Sequence, residues 1–489
     1  MIFNQLPVVI PVSLLFFALI TFLAGLYRKR LVFPIALSGI AISLIASIMG
    51  LVRVLQDGPQ HYYLGGWNPP IGIEYVLDHL SAFMAVLITF IGFLSMIYSQ
   101  RSFLKEVPEK IVPLYALILL LMAGMTGIVV SGDLFNIFVF LEIASLSAYA
   151  LMAIGNDKAP IAIFRYIILG TVGAGFYLLG VGFIYFAVGS LNIVDIAQIL
   201  PGLADSHLLV AAAVFIIIGA SLKMALFPFH IWLPDAYTYA PSGVITFIAP
   251  LMTKVFAYII IRMLISVFPP NYLTEVIPVL PVIGWLAAAG IIFASIMAIA
   301  QRDLRRMLAY SSVSQICYVA LGISLANPLG LIGAMLHILN HAFMKGCLFQ
   351  VSGTIKYQTG FWQISKLAGL GKRMPWTMGA FTIAAISMIG IPPAAGFFSK
   401  WYLVLGSIEA NNWIFVAVIL ASSLLGAVYF FRILDKVYTT PPDNDEAIAA
   451  AKDPPLGMLS PIIILAVGII VLGLINVIIV TNILQPVVN

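Results

Sequence analysis

The chain reads as an all-α membrane protein of about 14 transmembrane helices, with two inverted five-helix repeats in which helices 7 and 12 are broken. Three observations predict this. The chain is 62% hydrophobic and only 9% charged, with a mean hydropathy of +1.10, more apolar surface than a water-soluble fold could cover. Its apolar residues fall in fourteen runs close to the length that crosses a hydrocarbon core of about 30 Å. Two of those runs are interrupted by prolines beside a lysine.

Runs 7–27 and 31–53 open the chain. No basic segment precedes the first and no small-residue cleavage site follows it, so it reads as a span and not a signal peptide. Runs 76–98, 111–131, 133–154, 163–188 and 208–227 come next. The last of these ends in FPFHIWLP, whose two prolines remove helical hydrogen bonds. Runs 241–266, 276–300, 307–326 and 329–353 lead to a long run, 376–408, interrupted at Gly390-Ile391-Pro392-Pro393. Runs 412–434 and 458–481 close the chain. The two breaks stand five runs apart, so corresponding helices of two five-helix units cross the membrane in opposite senses. This divides the chain into helices 1–3 (residues 1–110), a first repeat (111–266), a second repeat (276–438) and a terminal helix (458–489).

Lysine and arginine set the orientation. Alternate loops hold 18 of the 24 basic residues, whereas the other side keeps only Arg53 and Arg262, near helix ends. The basic loops then face the cytoplasm, and both termini face the outside of a cell membrane. The net charge of +5 lies in those short loops and does not argue for nucleic acid. Cys317 and Cys347 stand alone in apolar helices and cannot hold an iron–sulfur cluster or a zinc site. No cofactor, metal site or redox centre is expected in this chain.

The remaining four basic residues, Lys223, Lys254, Lys345 and Lys400, lie inside the runs. A lysine at mid-membrane costs about 2.5–3.5 kcal/mol or more, so it rarely faces lipid and usually marks an ion path. Irregular backbone at that depth survives only where it is buried in protein or lines a wet cavity. Lys223 and Lys400 each sit beside such a break. Glu142, deep in run five, has no charged neighbour within a turn and needs a partner from another helix, with a lysine of run seven the natural one. In run eleven His337, His341 and Lys345 are spaced i, i+4, i+8, stacking on one face at about 6 Å steps. Such a ladder of titratable groups can pass protons. The blander readings are a snorkelling lysine, a structural Glu–Lys pair and core histidines.

These residues carry a resemblance. FLEIASLSAYAL with Glu142, SLKMALFPFHIWLPDAYTYAP with Lys223, Lys254 after APLMT, RDLRRMLAYSSVSQ, NHAFMKGCLF and GIPPAAGFFSK with Lys400 together resemble the proton-antiporter family. That family comprises the large antiporter-like subunits of respiratory complex I, Mrp cation/proton antiporters and membrane-bound hydrogenases. The resemblance implies two half-channels joined by a hydrophilic axis through Glu142, Lys223, Lys254 and Lys400. His230 and His337 match positions lining that axis. It also implies partners: other subunits of a multisubunit membrane complex and the lipid bilayer, with protons as cargo and Na⁺ left open. A chain ending soon after run fourteen differs from the longest relatives, and lysine at position 400 differs from the middle complex I subunit, typically glutamate there. DGPQHYYLGGWNPPIGIEYVLDHLSAFM looks most like the D-type Mrp subunit, which is the expectation. A translocation module of a redox enzyme and a passive spacer stay open. The expected mechanism is a relay from the Glu142–Lys223 pair through Lys254, His337, His341 and Lys345 to Lys400.

Overall fold

The computed structural model describes residues 5–203, 206–269, 272–441 and 446–488. The first repeat is preceded by α1 (Leu6–Tyr27), α2 (Val32–Asp57) and α3 (His79–Glu106). Between α2 and α3 lies an antiparallel hairpin, β1 (Gln60–Tyr63) with β2 (Glu74–Leu77), in register Gln60↔Leu77 and Tyr63↔Glu74. The third span therefore starts later than the apolar run beginning at 76. Its start is fixed by Asp78, whose carboxylate accepts from Ser81 N at 2.8 Å while Ser81 Oγ accepts from Asp78 N, a reciprocal capping box.

The first repeat comprises α4 (Ile111–Val130), α5 (Leu134–Ala153), α6 (Ala159–Val188), the short surface helix α7 (Ile193–Ile199), the broken pair α8 (His207–Met224) and α9 (Trp232–Tyr239), and α10 (Ser242–Ser266). The second comprises α11 (Val279–Ala300), α12 (Leu304–Ser324), α13 (Pro328–Thr359), a short α14 (Leu370–Arg373), the broken pair α15 (Pro375–Ile389) and α16 (Ala395–Glu409), and α17 (Trp413–Tyr438). A short α18 (Glu446–Ala450) leads to α19 (Leu456–Leu474). Among the described residues thirteen helices are long and apolar enough to cross a membrane. The two halves α15 and α16 supply the fourteenth crossing, as the interrupted run predicts.

The two repeats share a local device as well as a break. Asp133 caps α5 and Asp303 caps α12, each accepting from the backbone N–H three residues on. Both aspartates also sit in an isolated antiparallel bridge to the loop that follows the next helix, Asp133↔Asn192 in one repeat and Asp303↔Gln363 in the other. α5 and α12 are the fifth and tenth spans, so the match again has the offset of five.

α10 and α13 are buried along their whole spanning windows and form the centre of the molecule. Large apolar side chains on α1, α2, α6 and α17 face outward, as lipid requires. Close approach of α6 and α8 depends on Gly173 and Gly219: a Cβ on Gly219 would lie 2.5 Å from the Gly173 carbonyl oxygen.

Candidate functional site

At the first break, α8 ends in a left-handed turn. Ala225 has φ 62°, Leu226 N–H reaches Ser221 O and Ala225 N–H reaches Leu222 O, the Schellman pattern. The Trp232 indole N–H also donates to Leu222 O at 3.3 Å. Lys223, in the last turn of α8 and 1% exposed, points at α5. Its Nζ donates to Ser145 Oγ at 2.7 Å and Tyr149 Oη at 3.3 Å, and lies 3.7 Å from Glu142 Oε1. Glu142, Ser145 and Tyr149 are spaced i, i+3, i+7 and so share one face of α5. The expected Glu142–Lys223 pair is present. The two hydroxyls were missed in the sequence, although their spacing from Glu142 is the signal that could have shown them.

Lys254 in α10 is also 1% exposed and donates to Ala249 O at 2.7 Å. Pro250, one turn before it, cannot donate to Thr246 O. Ser95 Oγ of α3 fills that gap at 2.8 Å. Among the described residues, no carboxylate pairs with Lys254. α10 packs directly against α13, the helix that carries His337, His341 and Lys345.

On α13 the three rungs are fully buried. The His337 and His341 rings stack with centroids 5.8 Å apart. His337 Nδ1 lies 2.9 Å from Ser399 Oγ of α16, while its Nε2 and both His341 nitrogens are buried without a hydrogen-bond partner. Lys345 turns away from the stack to α12, donating to Leu308 O at 2.9 Å and Ser311 Oγ at 2.5 Å.

At the second break, Gly390 has φ +94°, and Gly390 and Ile391 N–H groups close the same Schellman turn on Ser387 O and Ile386 O. That turn leaves the carbonyls of Met388 and Ile389 free. Lys400, in the first turns of α16, reaches back to take both, at 2.9 and 3.0 Å, and adds Ser423 Oγ of α17 at 3.1 Å. An ammonium at a helix C-terminus also complements its dipole.

His230 stands apart. It follows the first break, packs against Phe227 and Phe293 with centroids 5.4 and 5.5 Å away, and leaves Nδ1 buried without a partner. Among the described residues, no lysine of the site bonds to it. Among the described residues, no three His, Cys, Asp or Glu side chains group as metal ligands would.

Buried lysines at broken helices lie in a bundle of membrane-spanning length, and the comparisons with known proteins class the chain as an antiporter-like subunit of a multisubunit membrane complex. The chain belongs to the family described as "NADH:quinone oxidoreductase/Mrp antiporter, TM", which matches residues 131–426, and residues 67–101 match "NADH-Ubiquinone oxidoreductase (complex I), chain 5 N-terminus". It is 48% identical over 495 residues to "NADH-quinone oxidoreductase subunit N" of Desulforudis audaxviator, covering 98% of each chain. It is 32% identical over 473 residues to the D-type Na(+)/H(+) antiporter protein of Alkalihalophilus pseudofirmus, covering 96% of this chain and 93% of that one. In structure it is similar to a chain of the membrane-bound sulfane sulfur reductase, an archaeal respiratory membrane complex, with TM-score 0.91 and 30% identity over 99% of this chain and 97% of that one.

Proposed function

We propose that this chain moves protons along a buried axis from Glu142 and Lys223 through Lys254, His337, His341 and Lys345 to Lys400. The observation that carries this reading is the Glu142–Lys223 pair at the first break. A lysine 1% exposed is held by a carboxylate whose Oε1 is buried without a hydrogen bond and stands 3.7 Å away. Protonating Glu142 would leave Lys223 with only hydroxyl partners, and a buried ammonium without a counter-charge gives up its proton more readily. The freed proton passes to the α10–α13 centre. His230 lies at the edge of this path, in the turn between α8 and α9.

The basic loops support an orientation with both termini outside and Lys105, Arg302 and Lys366 on the cytoplasmic face. The two five-helix units, 111–266 and 276–438, act as the two half-paths. The Glu142 side chain is 32% exposed, on a face of α5 with Phe135, Val139 and Leu146. A carboxylate cannot be left to lipid at that depth, so this face is proposed as the seat of a neighbouring subunit.

Two complexes fit. Residues 57–84, with their Gly-Gly-Trp-Asn-Pro-Pro turn, favour the D-type place in a Mrp cation/proton antiporter. The 48% identity to a protein named for a quinone oxidoreductase, against 32% to one named for an antiporter, favours a redox-driven complex. The second observation covers the whole chain and carries more weight. The proton axis is common to both.

The test is Glu142→Gln, read as proton flux in inverted membrane vesicles holding the assembled complex. Flux is expected to fall by about a hundredfold, the scale of a positioned proton carrier, with the amount of complex unchanged. Near-wild-type flux would remove Glu142 from the path.

A further inference from the structure

We infer that the last leg of the path, from Lys345 to Lys400, runs through a chain of buried hydroxyls on α12, α11 and α17. This rests on the proton-translocating reading above. Lys345 commits its ammonium to α12, and Ser311 Oγ is its shortest contact. One turn along α12, at i+3, stands Ser314 on the same face. Ser314 Oγ lies 3.0 Å from Ser295 Oγ of α11, which lies 3.0 Å from Ser422 Oγ of α17. The Tyr318 hydroxyl reaches the same turn of α17, donating to Ile419 O at 3.2 Å, the carbonyl that Ser423 Oγ also takes at 3.1 Å. Ser423 Oγ accepts from Lys400 Nζ at 3.1 Å, and Lys400 sits over the Tyr318 ring, 5.1 Å from its centroid. Ser295, Ser311 and Ser314 are 0–1% exposed, and Tyr318 is 0% exposed.

Serines in apolar helices commonly bond back to a carbonyl of the preceding turn, and Ser295 does so to Ile291 O. Back-bonding explains one serine at a time. It does not explain hydroxyls from three helices meeting at 3.0 Å between two buried lysines. Gln315 Oε1, one turn beyond Ser311, is buried without a partner, so the polar character of this α12 face exceeds what packing needs. The histidine rungs offer less continuity toward Lys400: His337 stops at Ser399, and the His341 nitrogens bond to nothing.

The step balances without a co-reactant. Lys345 Nζ gives a proton to Ser311 Oγ, each hydroxyl passes on the proton it held, and Ser423 delivers one to Lys400 Nζ. Rotation of the hydroxyls then resets the chain. Two steps are not spanned by a direct hydrogen bond, Ser311 to Ser314 and Ser422 to Ser423: the first is one helical turn, the reach of a single water, and at the second stands the Tyr318 hydroxyl, which shares the Ile419 carbonyl with Ser423.

The experiment compares Tyr318→Phe, Ser422→Ala and Ser422→Thr in the full complex, with flux and complex content measured in the same vesicles. Tyr318→Phe keeps the ring over Lys400 and loses only Oη. Expected are flux losses of about a hundredfold for Tyr318→Phe and Ser422→Ala, the low end for a positioned proton carrier, and recovery with Ser422→Thr. Wild-type flux in both Tyr318→Phe and Ser422→Ala overturns the inference, as does loss in Ser422→Ala that threonine fails to restore. Glu142→Gln is the control: if it abolishes flux while the hydroxyl variants do not, only the hydroxyl chain fails, and if it too is silent, the translocation reading fails with it.

Discussion

The two broken helices solve the same problem with the lysine on opposite sides of the gap. Each upstream half ends in a Schellman turn, on Ala225 in one and Gly390 in the other. Lys223 belongs to the upstream half and cannot reach its own terminal carbonyls, so it is met by a neighbouring helix bearing a carboxylate and two hydroxyls. Lys400 belongs to the downstream half and spans the gap to Met388 O and Ile389 O. In both repeats the lysine-bearing half packs more extensively than the other half against the third helix of its unit, α8 on α6 and α16 on α13. One lysine therefore answers to a group that titrates, and the other to backbone dipoles that do not. A change of charge at Glu142 acts on Lys223 directly, whereas on the proposed path Lys400 responds to whatever arrives through the hydroxyls or moves the two half-helices apart.

The comparison breaks most clearly at the lysines themselves. Lys223→Ala and Lys400→Ala should each reduce flux by about a hundredfold or more. Lys223→Arg should fail as fully, because a guanidinium stays charged and cannot release the proton. Lys400→Arg should fail too. Full activity of Lys400→Arg in the same vesicle assay would make Lys400 a fixed cap on α15 and end its role as a carrier.

A milder test exchanges the two turn residues. Gly390→Ala forces a Cβ into φ +94°, and that Cβ would meet Lys400 Cδ at 3.1 Å. Ala225→Gly relieves a Cβ already held at φ 62°. The left-handed conformation costs an L-residue about 1–2 kcal/mol, so Gly390→Ala should lower and Ala225→Gly raise the thermal midpoint of the purified complex. A midpoint that rises with Gly390→Ala, or falls with Ala225→Gly, would mean the two turns are not equivalent. Gly396→Ala is the harsher control, since its Cβ would lie 1.9 Å from Ser387 O and press the halves apart.

Most of the fold was legible because bilayer thickness dictates the length of each apolar run and proline placement dictates the breaks. The hairpin at 60–77 was not, because QHYY and EYVL are short and are held by their neighbours. Tyr75 bridges to Ser131, His61 Nδ1 lies 2.6 Å from Glu74 Oε1, and Asn192 donates to Glu74 Oε2 at 2.8 Å. Arg305, counted as a loop charge, is 1% exposed and donates to Ala240 O at 2.8 Å. Burial of that kind depends on a distant loop and leaves no periodic trace. At the site, charged residues announced themselves by their cost in an apolar run. Serines and tyrosines did not, since a hydroxyl satisfied by its own helix is unremarkable in sequence.

The smallest expected effect concerns the rungs of α13. α10, which carries Lys254, packs against α13, so the proposed route from Lys254 to Lys345 passes His341, while Cys347 turns to Ala380 O and Ile462 O on α15 and α19. Six residues on, Cys347 is rotated by about 240° around the helix. His341→Ala should therefore slow flux by about tenfold, less than a lysine variant because His337 and Lys345 remain within reach. Cys347→Ala should leave flux unchanged. The difference should widen as pH rises, where protons are scarce and each lost carrier tells more. Proton flux measured across pH for both variants in the assembled complex decides it: equal, wild-type-like flux would make His341 a packing residue and leave Lys254 to reach Lys345 without it.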